Sequence, residues 1–92
     1  MRSMAHAGPA TLDRLEPLLE GVRKLGVAEE RKRGIFYRRR VAFLHFHEEA
    51  GRTLADLKEG RAFRRYPANT SRDRARLLGA VKRAAADRPA RG

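Results

Sequence analysis

The sequence contains no cysteine, no tryptophan and no long apolar run. Without cysteine, neither a disulfide framework nor a thiolate metal site can form, which suits a reducing compartment. No segment reaches the ~20 apolar residues that a membrane-spanning helix requires, and the first ten residues lack the apolar segment of a signal peptide. We therefore expect a cytoplasmic protein without a membrane span.

Acidic residues are half as numerous as basic ones, because 11 Asp and Glu stand against 22 Lys and Arg. The formal net charge is +11 in 92 residues, and a charge of this size attracts polyanions at long range. The alternative is compositional, since a GC-rich genome favours arginine codons. Codon bias explains arginine in place of lysine, but it does not explain a twofold excess of basic over acidic residues. Both interpretations stay open.

The order of residue types indicates one domain over residues 10–86. Residues 1–9 and 87–92 contain proline and glycine without periodicity, and we expect both to be loose tails. No internal repeat or low-complexity linker divides the rest. A single small domain follows, either monomeric or a weak homodimer.

Apolar residues recur every three or four positions from Leu12 to Leu25, which is typical of an amphipathic helix. Pro17 interrupts this pattern. We therefore expect a regular helix over residues 16–25, after an irregular lead-in that Thr11 caps, and we expect Gly26 to end it.

The middle of the chain is rich in Ile, Phe, Tyr, Val and Thr with period-two alternation, which predicts β-strands. The predicted strands are Ile35–Tyr37, Val41–His47, Arg52–Lys58 and Ala62–Pro67. The second is apolar on both faces and is therefore predicted to be the central strand. Hairpins should join them, with one tip at Arg38–Arg40 and a two-residue turn at Glu59-Gly60.

A second helix is predicted over residues 72–86. Thr70 or Ser71 can cap it by accepting backbone hydrogen bonds, and Asp73 lies favourably in the first turn. The fold class is therefore α+β, an antiparallel meander of three to four strands with one N-terminal and one C-terminal helix on one face. The order of elements is α-β-β-β-β-α.

His45 and His47 lie two residues apart, so on a strand their side chains project from the same face. Such a pair can bind a divalent metal if a third ligand is near. The candidate third ligands are Glu48, Glu49, Asp56 and His6. The alternative is that both imidazoles line the polar face of the sheet and hydrogen-bond to carboxylates. We expect the alternative, and hence no metal or other cofactor, because the nearest carboxylates lie in a mobile turn.

Residues that could catalyse a reaction are scarce. The candidate paired carboxylates are Glu48, Glu49, Asp56 and Glu59, at predicted hairpin ends where acids are ordinarily solvated. The two serines, Ser3 and Ser71, lie in a tail and at a helix cap, and the glycines form no phosphate-binding loop. We therefore predict that the protein is not an enzyme.

Clusters of basic residues alternate with aromatic residues in the strand-rich part of the chain. The predicted nucleic-acid-binding residues are Arg31, Lys32, Arg33, Arg38, Arg39, Arg40, Arg64 and Arg65. Guanidinium groups interleaved with aromatic rings suit contact with phosphates and stacking on bases. The alternative is that arginines at hairpin tips are merely solvated and that Phe36 belongs to the core.

The runs GIFYRRRVAFLHFHEEAGRTLADLKEG and FRRYPANTSRDRARLL resemble a group of small uncharacterised bacterial proteins with an FLHFHE-type central strand. The resemblance covers about residues 12–86 and implies a compact α+β fold without an established activity. The layout is more remotely similar to MmcQ/YjbR-like domains, for which a DNA-binding surface has been suggested. That similarity implies nucleic-acid binding but assigns no site residues.

Three hypotheses about function follow from the sequence. The first is a small basic module that contacts DNA or RNA through its arginine-rich strands and hairpin tip. The second is a protein-interaction module for an acidic partner. The third is a metal or small-ligand site at His45 and His47.

Overall fold

The protein consists of one β-sheet and two helices in the computed structural model, which describes residues 5–86. The elements in chain order are β1 (Ala5–His6), α1 (Pro9–Leu25), β2 (Glu29–Lys32), β3 (Ile35–Arg38), β4 (Val41–Glu49), β5 (Arg52–Glu59), β6 (Ala62–Pro67) and α2 (Ser71–Ala86). The predicted tail at 87–92 and the first four residues of the predicted tail at 1–9 lie outside the described residues. The predicted α+β class and its α-β-β-β-β-α order are confirmed.

All strands pair antiparallel in one sheet of order β2-β3-β4-β5-β6, and β1 also pairs with β4. The strand β4 is therefore central, as its apolar residues on both faces predicted. The sheet has two strands more than the sequence indicated. The sequence of β2 is EERK, whose charged residues conceal a strand from any apolar pattern. The two residues of β1 lie in the segment expected to be a tail.

Two-residue turns connect the long strands. The turn between β3 and β4 consists of Arg39 and Arg40, with φ angles of 52° and 69°. A tight hairpin of this kind needs positive φ at both positions, a conformation that non-glycine residues rarely adopt. Arg38, which was expected in the tip, is the last residue of β3.

The turn between β5 and β6 lies one residue later than predicted. Glu59 still pairs with Ala62, so the turn residues are Gly60 and Arg61. Gly60 has a φ of 69°, which supplies the positive φ required at the first turn position.

The alternation of side chains along β4 defines the two faces of the sheet. Leu44 and Phe46 join the core beneath the helices, whereas His45 and His47 lie on the opposite face, which we call the open face. One register irregularity in the pairing of β3 with β4 breaks this alternation. Because of this bulge, the adjacent residues Phe43 and Leu44 are both buried.

The start of α1 differs from the prediction. The helix begins at Pro9 rather than at residue 16, and Pro17 lies inside it. Proline is favoured in a first turn, as at Pro9, but inside a helix it removes a backbone hydrogen bond. The helix continues through exposed Pro17 because Leu15 before it and Leu19 after it are buried in one core.

The N-terminal end of α1 is attached to the sheet instead of being capped by Thr11. The cap residue is Gly8, whose amide donates a 2.6 Å hydrogen bond to the carboxylate of Glu48 in β4. This bond lowers the pKa of Glu48. Thr11 lies in the first turn and is buried.

The second helix agrees closely with the predicted range of 72–86. The Thr70 hydroxyl accepts a 3.0 Å hydrogen bond from the amide of Asp73. The Asp73 carboxylate in turn accepts the amides of Asn69 and Thr70, at 3.0 and 3.1 Å. Three backbone donors at the helix start are thus satisfied by a reciprocal cap.

Both helices pack apolar side chains against the same face of the sheet. The most deeply buried of these are Leu15, Leu19, Val22, Leu77 and Val81. A Cβ atom at Gly21 would lie 3.1 Å from the Leu78 side chain, so glycine there permits the close approach of α1 and α2. Among the described residues, no helix is both long and apolar enough to cross a membrane.

Candidate functional site

Two of the eight predicted phosphate-contacting residues are bonded to groups on the helix-covered side of the sheet. Arg33 forms ion pairs with two acids of α1, the nearer being Glu16 at 2.8 Å. Arg38 donates to the carbonyls of Val27, at 3.0 Å, and Ala85, at 3.4 Å. Arg38 therefore joins β3 to the C-terminal ends of both helices.

Two more of the eight have acidic neighbours on the open face. Arg65 donates two hydrogen bonds to Asp56, at 2.8 and 3.0 Å. The Arg31 guanidinium lies 4.5 Å from the ring centre of Tyr37 and 3.5 Å from the carboxylate of Glu29. In both cases the acid offsets the positive charge.

The remaining four are exposed, and they are Lys32, Arg39, Arg40 and Arg64. The tip formed by Arg39 and Arg40 lies near the end of α2, because the preceding Arg38 contacts Ala85 there. Arg64 lies over the ring of Tyr66, at 5.2 Å from its centre, and also lies 3.9 Å from the carboxylate of Glu59. The eight residues are thus divided between the two faces and do not form one surface.

The outer side of α2 carries an excess of positive charge that the predicted site did not include. This helix holds the basic residues Arg72, Arg74, Arg76, Lys82 and Arg83, and the single acid Asp73. Five positive charges less one negative charge give a net charge of +4. Arg72, Arg76 and Arg83 lie within about 40° of one another around the helix axis, at 3.6 residues per turn. We call these three exposed arginines the α2 row.

No salt bridge within residues 5–86 neutralises the α2 row. The one acid of the helix, Asp73, is used in the cap. Burial and a hydrogen bond to Glu59 raise the pKa of Tyr66, and the charges of Arg64 and Arg83 both oppose this rise. Both arginine charges therefore act on Tyr66 in β6.

A count of charges over the predicted helix would have identified the α2 row from the sequence. Five basic residues and one acid fall within residues 72–86, and helical periodicity places three of the basic residues together. The denser basic segment at 31–40 forms no such row, because neighbours in a strand point to opposite faces.

Aromatic rings are mostly unavailable for stacking on bases. The chain has four phenylalanines and two tyrosines. Phe36, Phe43, Phe46 and Tyr66 are buried, and Phe36 therefore belongs to the core. Tyr37 is half-buried beneath Arg31, which leaves Phe63 as the single well-exposed ring, with 44% of its surface accessible.

Three of the four candidate catalytic carboxylates are occupied by separate partners. Glu48 accepts the amide of Gly8, and Glu59 accepts the hydroxyl of Tyr66, both on the helix-covered side. Asp56 lies on the open face against Arg65. Each of these three carboxylates has a structural partner, so they offer no acid and base pair.

The histidines form the densest group of titratable side chains on the open face. His45 Nδ1 lies 2.9 Å from His47 Nε2, which in turn lies 3.1 Å from the carboxylate of Asp56. The His6 ring centre is 5.5 Å from that of His47 and 6.5 Å from that of His45. We call these four residues the histidine cluster.

The surroundings of His45 favour its neutral imidazole, and those of Asp56 favour its charged carboxylate. Burial lowers the pKa of His45, and the neighbouring charge of His47 lowers it further. The two hydrogen bonds from Arg65 lower the pKa of Asp56 despite its burial. Phe63 covers one side of the cluster, with its ring centre 5.2 Å from that of His45.

No family model, curated protein or solved structure matches this chain. The two candidate sites therefore depend on charge and geometry alone. They are the positive surface around the α2 row and the histidine cluster at the centre of the open face.

Proposed function

We propose that the protein binds nucleic acid through contacts between the α2 surface and the phosphate backbone. The observation that carries this proposal is the row of three exposed arginines on α2 without an acidic partner among residues 5–86. Guanidinium groups bind phosphates through paired hydrogen bonds, and each contact releases condensed counterions.

The dimensions of α2 suit the backbone of a nucleic acid. At a rise of 1.5 Å per residue, Arg72 and Arg76 are about 6 Å apart along the axis, and the α2 row spans about 16 Å. That length is about half of one turn of duplex DNA, which measures ~34 Å. The Arg39-Arg40 tip near its end adds two further cations.

The scarcity of exposed rings supports duplex over single-stranded targets. Proteins that bind single strands stack successive bases on aromatic side chains, each worth about 1–3 kcal/mol. Five of the six aromatic residues here are buried or half-buried. A surface of arginines without exposed rings contacts phosphates and not bases, so the binding is expected to be independent of base sequence.

The test compares duplex DNA binding, by fluorescence anisotropy across a salt series, for two triple variants. The first variant changes Arg72, Arg76 and Arg83 to Gln. The control changes Lys24, Arg31 and Lys32, which are exposed cations of α1 and β2, to Gln. Both variants have a net charge of +11 − 3 = +8, so only the position of the removed charge differs.

The α2 variant should weaken binding and make the log–log salt slope shallower by about 0.9 for each phosphate that is no longer neutralised, or nearly 3 in all. The control should bind almost as the parent does. Equal weakening by both variants would mean that net charge alone attracts the duplex. No binding by the parent at ~50 mM salt, where electrostatic contacts are strong, would reject the proposal.

Polyglutamate serves as a competitor that represents an acidic protein partner. If it displaced the duplex at an equal concentration of charge, the α2 surface would be a general polyanion site, and an acidic protein would become the better candidate. A preference for the duplex at matched charge supports the spacing argument.

A further inference from the structure

Every histidine of the chain lies in the histidine cluster. The sequence contains three histidines, and the fold brings His6 from β1 next to His45 and His47 of β4. His6 pairs directly with His47 in the antiparallel register, so both side chains project from the same face. Asp56 joins them because it pairs with His45 across β4 and β5.

The donor atoms are spaced as the ligands of one metal ion are spaced. Ligand atoms about 2.0–2.1 Å from a tetrahedral zinc ion are roughly 3.3 Å from each other. His47 Nε2 lies 2.9 Å from His45 Nδ1 and 3.1 Å from a carboxylate oxygen of Asp56. All three donor atoms lie within 4.8 Å of one another. Small changes in these distances would allow an ion to bind between the three donor atoms.

The ring positions agree with the same arrangement. Two imidazoles on one zinc ion at the usual bond length have ring centres on the order of 5 Å apart. The centres of His45 and His47 are 4.8 Å apart, and those of His6 and His47 are 5.5 Å apart. His6 is exposed, so a rotamer change can bring it nearer to the other three residues.

Hydrogen bonds alone satisfy this cluster poorly. A neutral imidazole carries one hydrogen, and His47 Nε2 faces both His45 Nδ1 and the Asp56 carboxylate. If Nε2 carries the hydrogen, one hydrogen is shared between two acceptors. If the hydrogen is on His45 Nδ1 instead, the lone pair of His47 Nε2 faces a carboxylate oxygen of Asp56 at 3.1 Å. A cation accepts a lone pair from all three atoms.

The third ligand comes from a rigid strand and not from the turn. The sequence favoured the absence of a metal site because Glu48 and Glu49 were the nearest carboxylates. Asp56 instead lies in β5, which pairs with β4 along six residue pairs. Its other oxygen accepts the Nε hydrogen of Arg65 at 2.8 Å, the type of outer hydrogen bond that orients metal-binding carboxylates.

We propose that His45, His47 and Asp56 bind one divalent transition-metal ion on the open face, with His6 as the fourth ligand. Two or three imidazoles and one carboxylate are the donor set that suits zinc. The site is independent of the proposed nucleic-acid function, because the α2 row lies on the helix-covered side. A variant that loses metal binding can therefore still be tested for duplex binding, and a variant that loses duplex binding can still be tested for metal binding.

Calorimetric titration of the untagged, chelator-treated full chain with Zn²⁺ tests the proposal. We expect one ion per chain, and an affinity lowered by more than about 100-fold in His47→Ala and in Asp56→Asn, since even outer-shell changes cost 10–100-fold. Glu29→Gln is the matched control, because it removes an exposed carboxylate from β2, which is separated from β4 by β3. It should bind as the parent does.

The His6→Ala variant tests the fourth ligand. Binding of Co²⁺ in a tetrahedral site gives intense visible absorption, which should weaken when a protein ligand is replaced by water. An unchanged spectrum would remove His6 from the site. Far-UV circular dichroism shows whether each variant folds, and His45→Gln provides a second ligand variant that keeps a polar side chain in place.

Substoichiometric Zn²⁺ binding, or equal affinity in the parent and in a folded His47→Ala variant, would overturn the proposal. Duplex binding with and without chelator is measured in parallel. If duplex binding persists after the metal is removed, the two sites are separate, as proposed. If duplex binding is lost when the metal is removed, the two sites are coupled and the proposed independence is wrong.

Discussion

The two helices bury similar apolar stripes in one core, but their outer sides differ in net charge. The charged residues of α1 are Asp13, Arg14, Glu16, Glu20, Arg23 and Lys24, which sum to zero. Those of α2 sum to +4. Since both helices cover the same sheet face, packing does not account for this difference.

On the α1 side, ion pairs connect the helix to β2 and to the turn that follows it. Arg23 contacts Glu16 and Glu20 in its own helix and Glu30 in β2. Glu30 also accepts the amide of Gly34 at 2.8 Å. These partners lower the pKa of Glu30, chiefly through the hydrogen bond from Arg23.

On the α2 side, the corresponding cations project outward. Within residues 5–86 the α2 row forms no ion pair with another element, and like charges four residues apart repel each other along the row. The comparison indicates that charges on α1 hold the fold together, whereas those on α2 oppose folding slightly and remain available to a partner.

The largest effect on stability is expected at Glu30. Glu30→Ala removes a partly buried acceptor from both Arg23 and Gly34 and should destabilise the protein by about 1–3 kcal/mol. Glu20→Ala is the control, because this more exposed carboxylate contacts only Arg23. Exposed pairs contribute about 0.2–1 kcal/mol. Urea unfolding at neutral pH measures both, and equal losses would contradict the bridging role of Glu30.

The same variant has a predicted pH dependence. The folded-state pKa of Glu30 lies below the unfolded value of about 4.3, so its stabilisation is present above that pH and is lost as the pH falls through the folded value. The stability difference between the parent and Glu30→Ala should therefore shrink below about pH 4. A difference that grew on acidification would show that the bonds do not depend on the charged carboxylate.

A smaller effect of opposite sign is expected at the β3–β4 tip. Replacing Arg39 and Arg40 with Asn and Gly gives the pair that hairpin turns with positive φ prefer. We expect stabilisation on the order of 1 kcal/mol from the relief of backbone strain, with weaker duplex binding from the loss of two cations. Thermal unfolding and anisotropy measure the two effects. Stabilisation without weaker binding would place the tip outside the nucleic-acid surface.

The smallest effect is expected at the start of α2. Arg72 lies in the first turn, where the helix dipole disfavours a cation, and four residues before Arg76. Arg72→Gln should raise the free energy of unfolding by roughly 0.3–0.5 kcal/mol at low salt, and the gain should vanish at ~1 M salt. Destabilisation would mean that Arg72 makes a stabilising contact and that α2 resembles α1 after all.

Local chemistry made much of the fold predictable. Period-two alternation over Val41–His47 indicated the central strand, and residues 69–73 contain their own capping hydrogen-bond partners. The prediction missed the first turns of α1 because a proline inside a helix is unfavourable locally. Burial of Leu15 and Leu19 in one core outweighs that cost.

The candidate sites were predictable in part. The pairing of His45 with His47 follows from two-residue spacing on a strand, and the charge of α2 follows from counting. Whether an arginine is free does not follow, because Arg33, Arg38 and Arg65 find partners 9 to 47 residues away in the chain. Consecutive basic residues therefore do not make a single surface.

Residue types and short-range periodicity were enough to specify the α+β class, the central strand, the second helix and the large positive charge. Which charges are neutralised and which groups converge depends on contacts between distant parts of the chain. Register between strands sets those distances, and a register depends on the whole sheet. His6 and Asp56 are 50 residues apart in sequence, yet antiparallel pairing on both sides of β4 brings them to the same pair of histidines.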